Sequence, residues 1–523
     1  MLARRGFACS ISPIIPNQMN EYAMTDRLPA APAAAAAGQA TLGLLLGLVL
    51  LVALVFVHIS LGANLAVLAL AAASALVVLA LLWARPYDLG SWFAAFVFFQ
   101  LFGAVWIYKS WLLIPLEDGL LRPVPSMGWG LLLVLAAAGA ALASNLGQKQ
   151  SCALKRYYGD PARWAALGWI LFATGELSLF GAHVANYGSQ QTMGAFGPFG
   201  KFTTAGLVLL ANSAARRGRA IDWRIAVVLA FAVVDALLSG AKSTMVFQAG
   251  AVLFAVLLAP VPRFKQAALL VACVAALVFA DRVIFPAIHV LRAENYRDMS
   301  LRDRMTMVDD ALSAGVHKWA ETAEDDVTIA SSNRRFFPSD SLFMRRFSAL
   351  RYVDTTIAFG EAGSAQLTPA AFLQNCVSKA LPGPLSPGKE YFQHADKLWI
   401  QMDPNMEGIS NETMGCFPSA RLIFGEWEGF ALTAGVWALT LWIFRFFYGS
   451  NLRDPLVQFL IVALFYTMVE GDLETHFITL MRLCWQDIAT FAVAGWLVAR
   501  ASRPGAAEPQ TLPMPYKLSD EPT

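Results

Sequence analysis

The chain has 523 residues, of which 57% are hydrophobic and only 15% are charged, and its mean hydropathy is +0.53. Soluble domains are about 45–50% apolar and about 25% charged, so this chain has too little polar surface to cover a globule in water. The composition excludes an ordinary soluble enzyme, a collagen-like or disordered chain and a disulfide framework. The net charge of +2 does not indicate a nucleic-acid partner. The class that remains is a polytopic membrane protein within a lipid bilayer.

Apolar runs of about 18–20 residues or more, the length that crosses hydrocarbon as a helix, recur along the chain. They follow an N-terminal segment, residues 1–40, that lacks the shape of a signal peptide. The pattern predicts an all-α polytopic membrane protein with about twelve transmembrane helices and one large external loop that contains short amphipathic helices. The predicted spans are residues 41–58, 62–84, 91–108, 127–145, 164–183, 197–214, 225–240, 244–260, 266–286, 429–446, 455–469 and 477–498.

Basic residues in the short loops indicate the orientation, because such loops are retained in the cytosol. With this set of spans the basic loops fall on one side, and both termini lie there with them. The basic residues are Lys149, Lys155, Arg156, Arg163, Arg216, Arg217, Arg219, Arg224, Arg263, Lys265, Arg445, Arg453, Arg500 and Arg503. The predicted parts are a cytosolic N-terminal segment (1–40), transmembrane helices 1–9 (41–286), a large external loop (287–420), transmembrane helices 10–12 (421–500) and a cytosolic tail (501–523).

The external loop lies in the periplasm if the protein belongs to a bacterial inner membrane, as its Ala-rich composition suggests. Two of the six cysteines, Cys376 and Cys416, share this loop. They either form a disulfide, which would stabilise the fold by ~3–4 kcal/mol through loop entropy, or remain separate thiols.

All six histidines fall at the external end of a predicted span or in the external loop, where an imidazole can act as a general base near neutral pH. His394 is the best placed of them, and an interfacial position without a chemical task is the alternative for each. No H-E-x-x-H or comparable pair occurs. The sequence therefore predicts no metal site and no cofactor.

The stretch 342–359 of the external loop predicts an amphipathic helix at the membrane surface. Arg346 and Arg351 flank its apolar stripe, where their guanidinium groups can bind phosphate oxygens in pairs. Generic anionic headgroups or local carboxylates are the alternative partners. The stripe consists of Phe343, Phe347, Leu350 and Ile357.

Ionisable residues within apolar segments are costly, so they are expected to be functional or paired. Pairs of Asp281 with Arg282 and of Arg482 with Asp487 are the simple explanation, and Glu176 and Asp235 complete the set. The short turn 239–244 joins two spans and carries Lys242 among small residues and hydroxyls, which offers either an anion pocket or a plain interfacial turn.

Four segments of the chain resemble motifs of a known family. They are Arg345-Arg346-Phe347-Ser348-Ala349-Leu350-Arg351, the proline-rich turn 381–389, the run Phe424-Gly425-Glu426-Trp427-Glu428-Gly429, and the turn Gly240-Ala241-Lys242-Ser243. This order is similar to that of the O-antigen and exopolysaccharide repeat-unit polymerases and, more loosely, of the related O-antigen ligases. The resemblance covers roughly residues 225–445. It departs at Gly383, where the family often has an arginine after the proline.

The resemblance implies a membrane glycosyltransferase that takes a glycan from an undecaprenyl-pyrophosphate donor and transfers it to a hydroxyl of a growing glycan acceptor, without nucleotide sugar or metal. Chain-length regulators or export proteins are expected as further partners. The diphosphate needs cations, and the acceptor hydroxyl needs a base. The candidate pyrophosphate-binding residues are Lys242, Arg346, Arg351, Lys389 and Arg421, and the candidate catalytic bases are His394, Glu426 and Glu428.

Three other functions stay open at this point. A ligase of the same superfamily uses the same donor and the same anion pocket. A transporter of lipid-linked sugars is favoured only by the charges within apolar segments. An assembly scaffold of the export machinery predicts that the basic external loop tolerates charge reversal.

Overall fold

The structure, a computed structural model, describes most of the apolar segments and part of the external loop. The described ranges are residues 33–146, 152–185, 201–219, 222–239, 242–259, 262–284, 349–363, 368–381, 415–461 and 471–501, with short helical pieces between 302 and 313.

The described residues are almost entirely helical, and their only β-type pairing is an isolated antiparallel bridge between Asp88 and Asn451. Before residue 285 the helices are α1 (Ala33–Ser60), α2 (Leu65–Ala84), α3 (Leu89–Phe98), α4 (Ala104–Leu112), α5 (Pro123–Ala143), α6 (Lys155–Tyr158), α7 (Trp164–Ala185), α8 (Phe202–Arg216), α9 (Trp223–Ser239), α10 (Lys242–Leu258) and α11 (Arg263–Phe279). After it they are α12 (Ala349–Gly363), α13 (Pro369–Ala380), α14 (Cys416–Phe424), α15 (Glu426–Tyr448), α16 (Leu473–Ile478) and α17 (Cys484–Ala501).

Six helical segments among the described residues are long and apolar enough to cross a membrane. This finding confirms the prediction of a helical membrane protein. The other predicted spans coincide with α7–α11 and with a helical stretch at 455–461, and their crossing of the membrane stays a prediction. The six segments are Thr41–Ser60, Leu65–Ala84, Leu89–Leu112, Pro123–Ala143, Glu426–Tyr448 and Leu473–Ala501.

Residues in the basic loops and in the helix ends beside them contact one another in pairs. The contacts are Leu89 N to Ser450 O (2.8 Å), Ala153 N to Phe446 O (3.2 Å), Arg216 over the Trp164 ring (4.5 Å) and Lys265 Nζ to Gly218 O (2.8 Å). These contacts support the prediction that the basic loops share one side of the bundle. The compartment that this side faces stays a prediction.

Arg445 ties two of these loops together. Its Nη2 lies 2.6 Å from both carboxylate oxygens of Asp88, and Asp88 also caps α3 by accepting a hydrogen bond from Ser91 N. Because the guanidinium is buried, removing either partner would leave an uncompensated charge in the bundle. This predicted cytosolic cation therefore has a structural partner.

Three helices of the predicted external loop pack onto the bundle. Helix α12 packs against α5 and α14, and α13 packs against α16. Leu350 and Val353 of α12 belong to the main hydrophobic core, while Phe372 of α13 joins a smaller core with residues of α14 and α15. These three helices of the loop are thus folded into the protein.

Candidate functional site

A helical hairpin formed by α14 and α15 holds three of the predicted site residues. The connecting residue Gly425 has φ +96°, a conformation that side-chain-bearing residues rarely adopt. A Cβ on Gly429, in the first turn of α15, would lie 2.7 Å from both the carbonyl carbon of Ala420 and the backbone nitrogen of Arg421. The two glycines therefore let the helices touch along their backbones, which brings Arg421 beside Glu426.

Arg421 points into the hairpin and is largely buried, with 15% of its side chain exposed. Its Nη1 donates to the backbone carbonyl of Thr356 in α12. Its Nη2 lies 3.9 Å from Glu426 Oε1, beyond hydrogen-bond distance. The buried Nε has no acceptor in the part of the chain that the structure describes. The planar guanidinium thus keeps donors for an additional anion.

Glu426 is held on the other side of the hairpin by Trp129 of α5. The indole Nε1 donates to Glu426 Oε1 at 2.8 Å, and the Trp129 ring stacks on Phe417 with 5.0 Å between centroids. The Glu426 side chain remains 44% exposed. A carboxylate with one fixed and one open oxygen is suitable for accepting a proton from a bound hydroxyl.

Glu428 belongs to the same hairpin and is exposed. Its Oε2 lies 3.1 Å from the position that a Cβ on Gly425 would occupy, so the side chain folds back toward the connection between the helices. Two of the three predicted bases are therefore on the hairpin that carries Arg421. The third, His394, lies outside the described residues.

Arg351 lies on α12, which packs against the hairpin helix α14. The carbonyl that binds Arg421 belongs to Thr356, five residues and about 7.5 Å farther along the helix axis. Arg351 itself is 5% exposed, and its guanidinium covers the Tyr352 ring at 4.4 Å and donates to the Tyr352 hydroxyl. The structure thus brings Arg351 and Arg421 onto two packed helices.

The burial of Arg351 corrects the prediction that its guanidinium is displayed at the membrane surface. Within the described residues the helix begins at Ala349, and both of its faces near Arg351 are covered by protein. The physical reason is Asp354. Its carboxylate accepts hydrogen bonds from Leu121 N (2.6 Å), Arg122 N (2.8 Å) and Ser126 Oγ (2.6 Å), and it thereby caps the N-terminus of α5.

Asp354 was not among the candidate residues from the sequence. Its donors lie more than 200 residues earlier in the chain, and no local pattern links them. The signal in the sequence was an acidic residue, Asp354, within a predicted helix whose apolar stripe includes Leu350 and Ile357. The Trp129 contact with Glu426 was missed for the same reason, since 297 positions separate the two residues.

A second polar cluster joins α13 to α16. Lys379 pairs with the buried Glu474, and Asn375 Nδ2 donates to Glu474 Oε1 at 2.9 Å. Leu473 N, at the start of α16, donates to Ser419 Oγ of α14 at 2.8 Å. These contacts fasten α13 and α14 onto the same end of the bundle.

Cys376 and Cys416 are both buried and carry free thiols, so the structure answers the disulfide question in favour of separate thiols. Burial, reinforced by the Glu474 and Asp472 carboxylates, raises the pKa of Cys376 to about 12. Burial likewise raises the pKa of Cys416 to about 12. Both groups are therefore poor nucleophiles at neutral pH.

The remaining predicted cations are not placed by the structure. Arg346 and Lys389 lie outside the described residues. Lys242 is the first residue of α10, and its side chain also lies outside the described part. Whether these residues join Arg351 and Arg421 stays a prediction.

The charges within apolar segments have different partners from those expected. Asp487 pairs with Lys201 at 2.6 Å, so the predicted pair of Asp487 with Arg482 is wrong. Glu176 accepts a hydrogen bond from Thr203 Oγ1 at 3.2 Å. The side chains of Asp235, Asp281 and Arg282 lie outside the described residues.

No family model, no curated protein and no solved structure matches the chain. Among the residues that the structure describes, no group of three or more His, Cys, Asp or Glu side chains is placed to hold a metal ion. The function proposed for this protein therefore rests on the geometry of the hairpin.

Proposed function

We propose that this protein is a membrane glycosyltransferase of the bacterial inner membrane that polymerises lipid-linked oligosaccharide repeat units into a surface polysaccharide or exopolysaccharide at the periplasmic face. The observation that carries the proposal is the hairpin, where a largely buried arginine with spare donors adjoins a half-exposed glutamate. The arginine can neutralise a diphosphate leaving group, and the glutamate can take the proton of an acceptor hydroxyl.

In the proposed reaction Arg421 donates charge-assisted hydrogen bonds to the diphosphate of the undecaprenyl-pyrophosphate donor. Arg351, on the adjoining helix, adds positive charge, and Lys242, Arg346 and Lys389 complete the cation set. These cations act where negative charge develops as the bond from the anomeric carbon to the phosphate oxygen breaks.

Glu426 takes the proton of the acceptor hydroxyl as that oxygen forms its bond to the anomeric carbon, through a transition state of oxocarbenium character. The electron pair of the broken bond leaves with the lipid diphosphate. Trp129 holds one Glu426 oxygen in place, so the other faces the acceptor. Glu428 and His394 are the alternative bases.

The test is elongation by purified protein in proteoliposomes supplied with a lipid-linked repeat unit. We expect Arg421→Ala and Glu426→Gln each to reduce the elongation rate by about 100-fold or more, because each removes a group that acts on charge developing in the transition state. Arg421→Lys should recover little, since an ammonium lacks the planar fork.

Arg453→Ala is the matched control, because this exposed arginine contacts Tyr87 among the basic loops. It should elongate at the wild-type rate. Elongation at the wild-type rate by a normally folded Arg421→Ala protein would overturn the proposal. Transfer of one preassembled glycan to a different acceptor, without elongation, would identify a ligase.

A transporter of lipid-linked sugars is the second candidate, and the Lys201–Asp487 pair favours it. This ion pair joins α8 to α17 close after the π-helical turn Thr479–Leu483, and interruptions of this kind in membrane helices often mark functional sites. The candidate predicts that lipid-linked sugar crosses proteoliposomes and that Asp487→Asn stops the crossing. Elongation without crossing would dismiss it.

A further inference from the structure

We propose that an aromatic cluster beside Glu426 is the binding site for a pyranose ring of the acceptor glycan. This inference rests on the proposed function, and it assigns the subsite where the acceptor sugar binds. We call the cluster the Trp427 platform, and it consists of the rings of Trp129, Phe417, Trp427 and Phe430.

Trp129, which is buried, and Phe430, which is half-buried, hold one exposed ring in place. The Trp427 ring centre lies 5.1 Å from that of Trp129 and 6.4 Å from that of Phe430, and Phe430 in turn lies 5.8 Å from Trp129. Trp129 is buried, whereas Trp427 is 63% exposed. The platform therefore presents an aromatic surface whose neighbours restrict its orientation.

A charged rim adjoins this aromatic surface. Trp129 donates its indole N–H to Glu426 Oε1, which directs the carboxylate to the edge of the platform. Within the described residues the other oxygen, Oε2, has no protein donor. Nη2 of Arg421 lies 3.9 Å from Oε1 of the same carboxylate.

A pyranose ring matches both features. One face carries axial C–H groups, which pack on an aromatic ring, and the rim carries hydroxyl groups, which donate to a carboxylate. A lipid acyl chain matches only the aromatic surface. Placing the ionised Glu426 carboxylate beside an acyl chain costs free energy. The chemistry therefore favours a sugar over a lipid tail. A sugar seated on Trp427 would present a hydroxyl to Glu426, the proposed base.

The test compares Trp427→Ala and Trp427→Phe in the elongation assay. We expect Trp427→Ala to raise the KM for the acceptor glycan about tenfold or more, with the KM for the lipid-linked donor unchanged. Trp427→Phe keeps an aromatic ring and should stay within about threefold of wild type. Trp442→Ala is the matched control, because this exposed tryptophan lies 15 residues farther along α15, and it should behave as wild type.

A binding measurement separates failure of the platform from failure of the proposed function. Full-length protein in nanodiscs is mixed with methyl glucoside, methyl galactoside and methyl mannoside, and saturation-transfer NMR detects contact. If the wild-type protein does not elongate but binds a glycoside, and Trp427→Ala loses this binding, the polymerase proposal is rejected and the sugar subsite is retained.

Two results would overturn the platform. One is an unchanged acceptor KM in Trp427→Ala together with equal glycoside binding by wild type and this variant. The other concerns the membrane. If brominated phosphatidylcholine quenches the fluorescence that Trp427 contributes, measured as wild type minus Trp427→Phe, the ring lies in lipid and is an interfacial anchor.

Discussion

Asp354 anchors the helix that carries Arg351, and the energy of this anchor can be tested. Its buried carboxylate accepts two backbone hydrogen bonds and one from Ser126. Hydrogen bonds to a charged group each contribute about 1.5–3 kcal/mol, and a donor left unsatisfied in the interior costs a similar amount. The position of Arg351 relative to Arg421 therefore depends on Asp354, although Asp354 contacts neither the diphosphate nor the acceptor hydroxyl in the proposed reaction.

We expect Asp354→Asn to lower the free energy of unfolding by about 2 kcal/mol or more, because the amide retains the shape but directs an N–H group toward donors. Thermal unfolding in detergent measures the effect. Thr355→Ala is the control, since among the described residues the Thr355 hydroxyl donates only to the Arg351 carbonyl one turn earlier in the same helix. The unfolding temperature of this variant should stay close to wild type. Equal unfolding temperatures for both variants would contradict the anchoring role.

The buried thiols of Cys376 and Cys416 make a pH-dependent contribution to stability. Burial raises the pKa of each thiol from 9.0 to about 12, so the folded state retains protons that the unfolded state loses. The contribution is therefore fully present below pH 9 and is lost as the pH rises from 9 toward 12.

We expect iodoacetamide to modify these two thiols slowly in the folded protein at pH 8 and rapidly after denaturation, as mass spectrometry of the modified peptides would show. Stability should decline above pH 9 in wild type, and this decline should be smaller in the double variant Cys376→Ala and Cys416→Ala. Rapid modification of both thiols in the folded protein would contradict their burial.

At the scale of elements, the α14–α15 hairpin depends on backbone contact. The absence of a side chain on Gly429 lets α15 approach the backbone of Ala420 and Arg421. This approach sets the distance between Arg421 and Glu426. The glycine spacing was visible in the sequence as Gly425 and Gly429, but the sequence did not indicate which neighbour they would meet.

Gly429→Ala should force the hairpin open, because its Cβ would collide with backbone atoms rather than with a flexible side chain. We expect a loss of about 1–3 kcal/mol in the free energy of unfolding and a lower elongation rate. Gly435→Ala is on the same helix, and its Cβ would meet no atom of the described residues within 4 Å, so this variant should be neutral or slightly stabilising. Similar behaviour of the two variants in thermal unfolding would argue against close contact at Gly429.

The helices themselves were largely predictable, whereas their packing was not. Long apolar runs gave α2, α5 and α15 close to their observed ends, because a backbone within a membrane must satisfy its hydrogen bonds locally. Helix α12 was also predicted as a helix, but at the membrane surface. Its burial follows from Asp354, whose partners are distant in the chain.

At the scale of the whole molecule, α15 separates two chemically different ends. Its N-terminus joins the hairpin with Arg421 and Glu426. Its C-terminus leads to Ser450, whose carbonyl accepts a hydrogen bond from Leu89 N at the start of α3. A helix of 23 residues is about 34 Å long, close to the thickness of the hydrocarbon core. The candidate site and the basic residues Arg445 and Arg453 thus lie at opposite ends of a helix that is long and apolar enough to cross a membrane.

This separation leads to a topology prediction. A periplasm-dependent reporter fused after Leu381 should be active, and the same reporter fused after Ala501 should be inactive, because the basic loops are expected to face the cytosol. A cytosol-dependent reporter at the same two positions is the control and should give the reverse result. Activity of the periplasmic reporter only after Ala501 would place the hairpin in the cytosol, away from the proposed lipid-linked donor.

The sequence by itself determined that this is a helical membrane protein, and it offered Arg421 as a candidate pyrophosphate-binding residue and Glu426 as a candidate base. Hydropathy and helix formation depend on residues close together in the chain, so the local sequence is enough to predict them. Only the tertiary structure decided that Arg351 is buried, that Trp129 fixes Glu426 and that Lys201 pairs with Asp487. Each of these contacts joins or depends on residues far apart in the chain, and they form only when the helices pack.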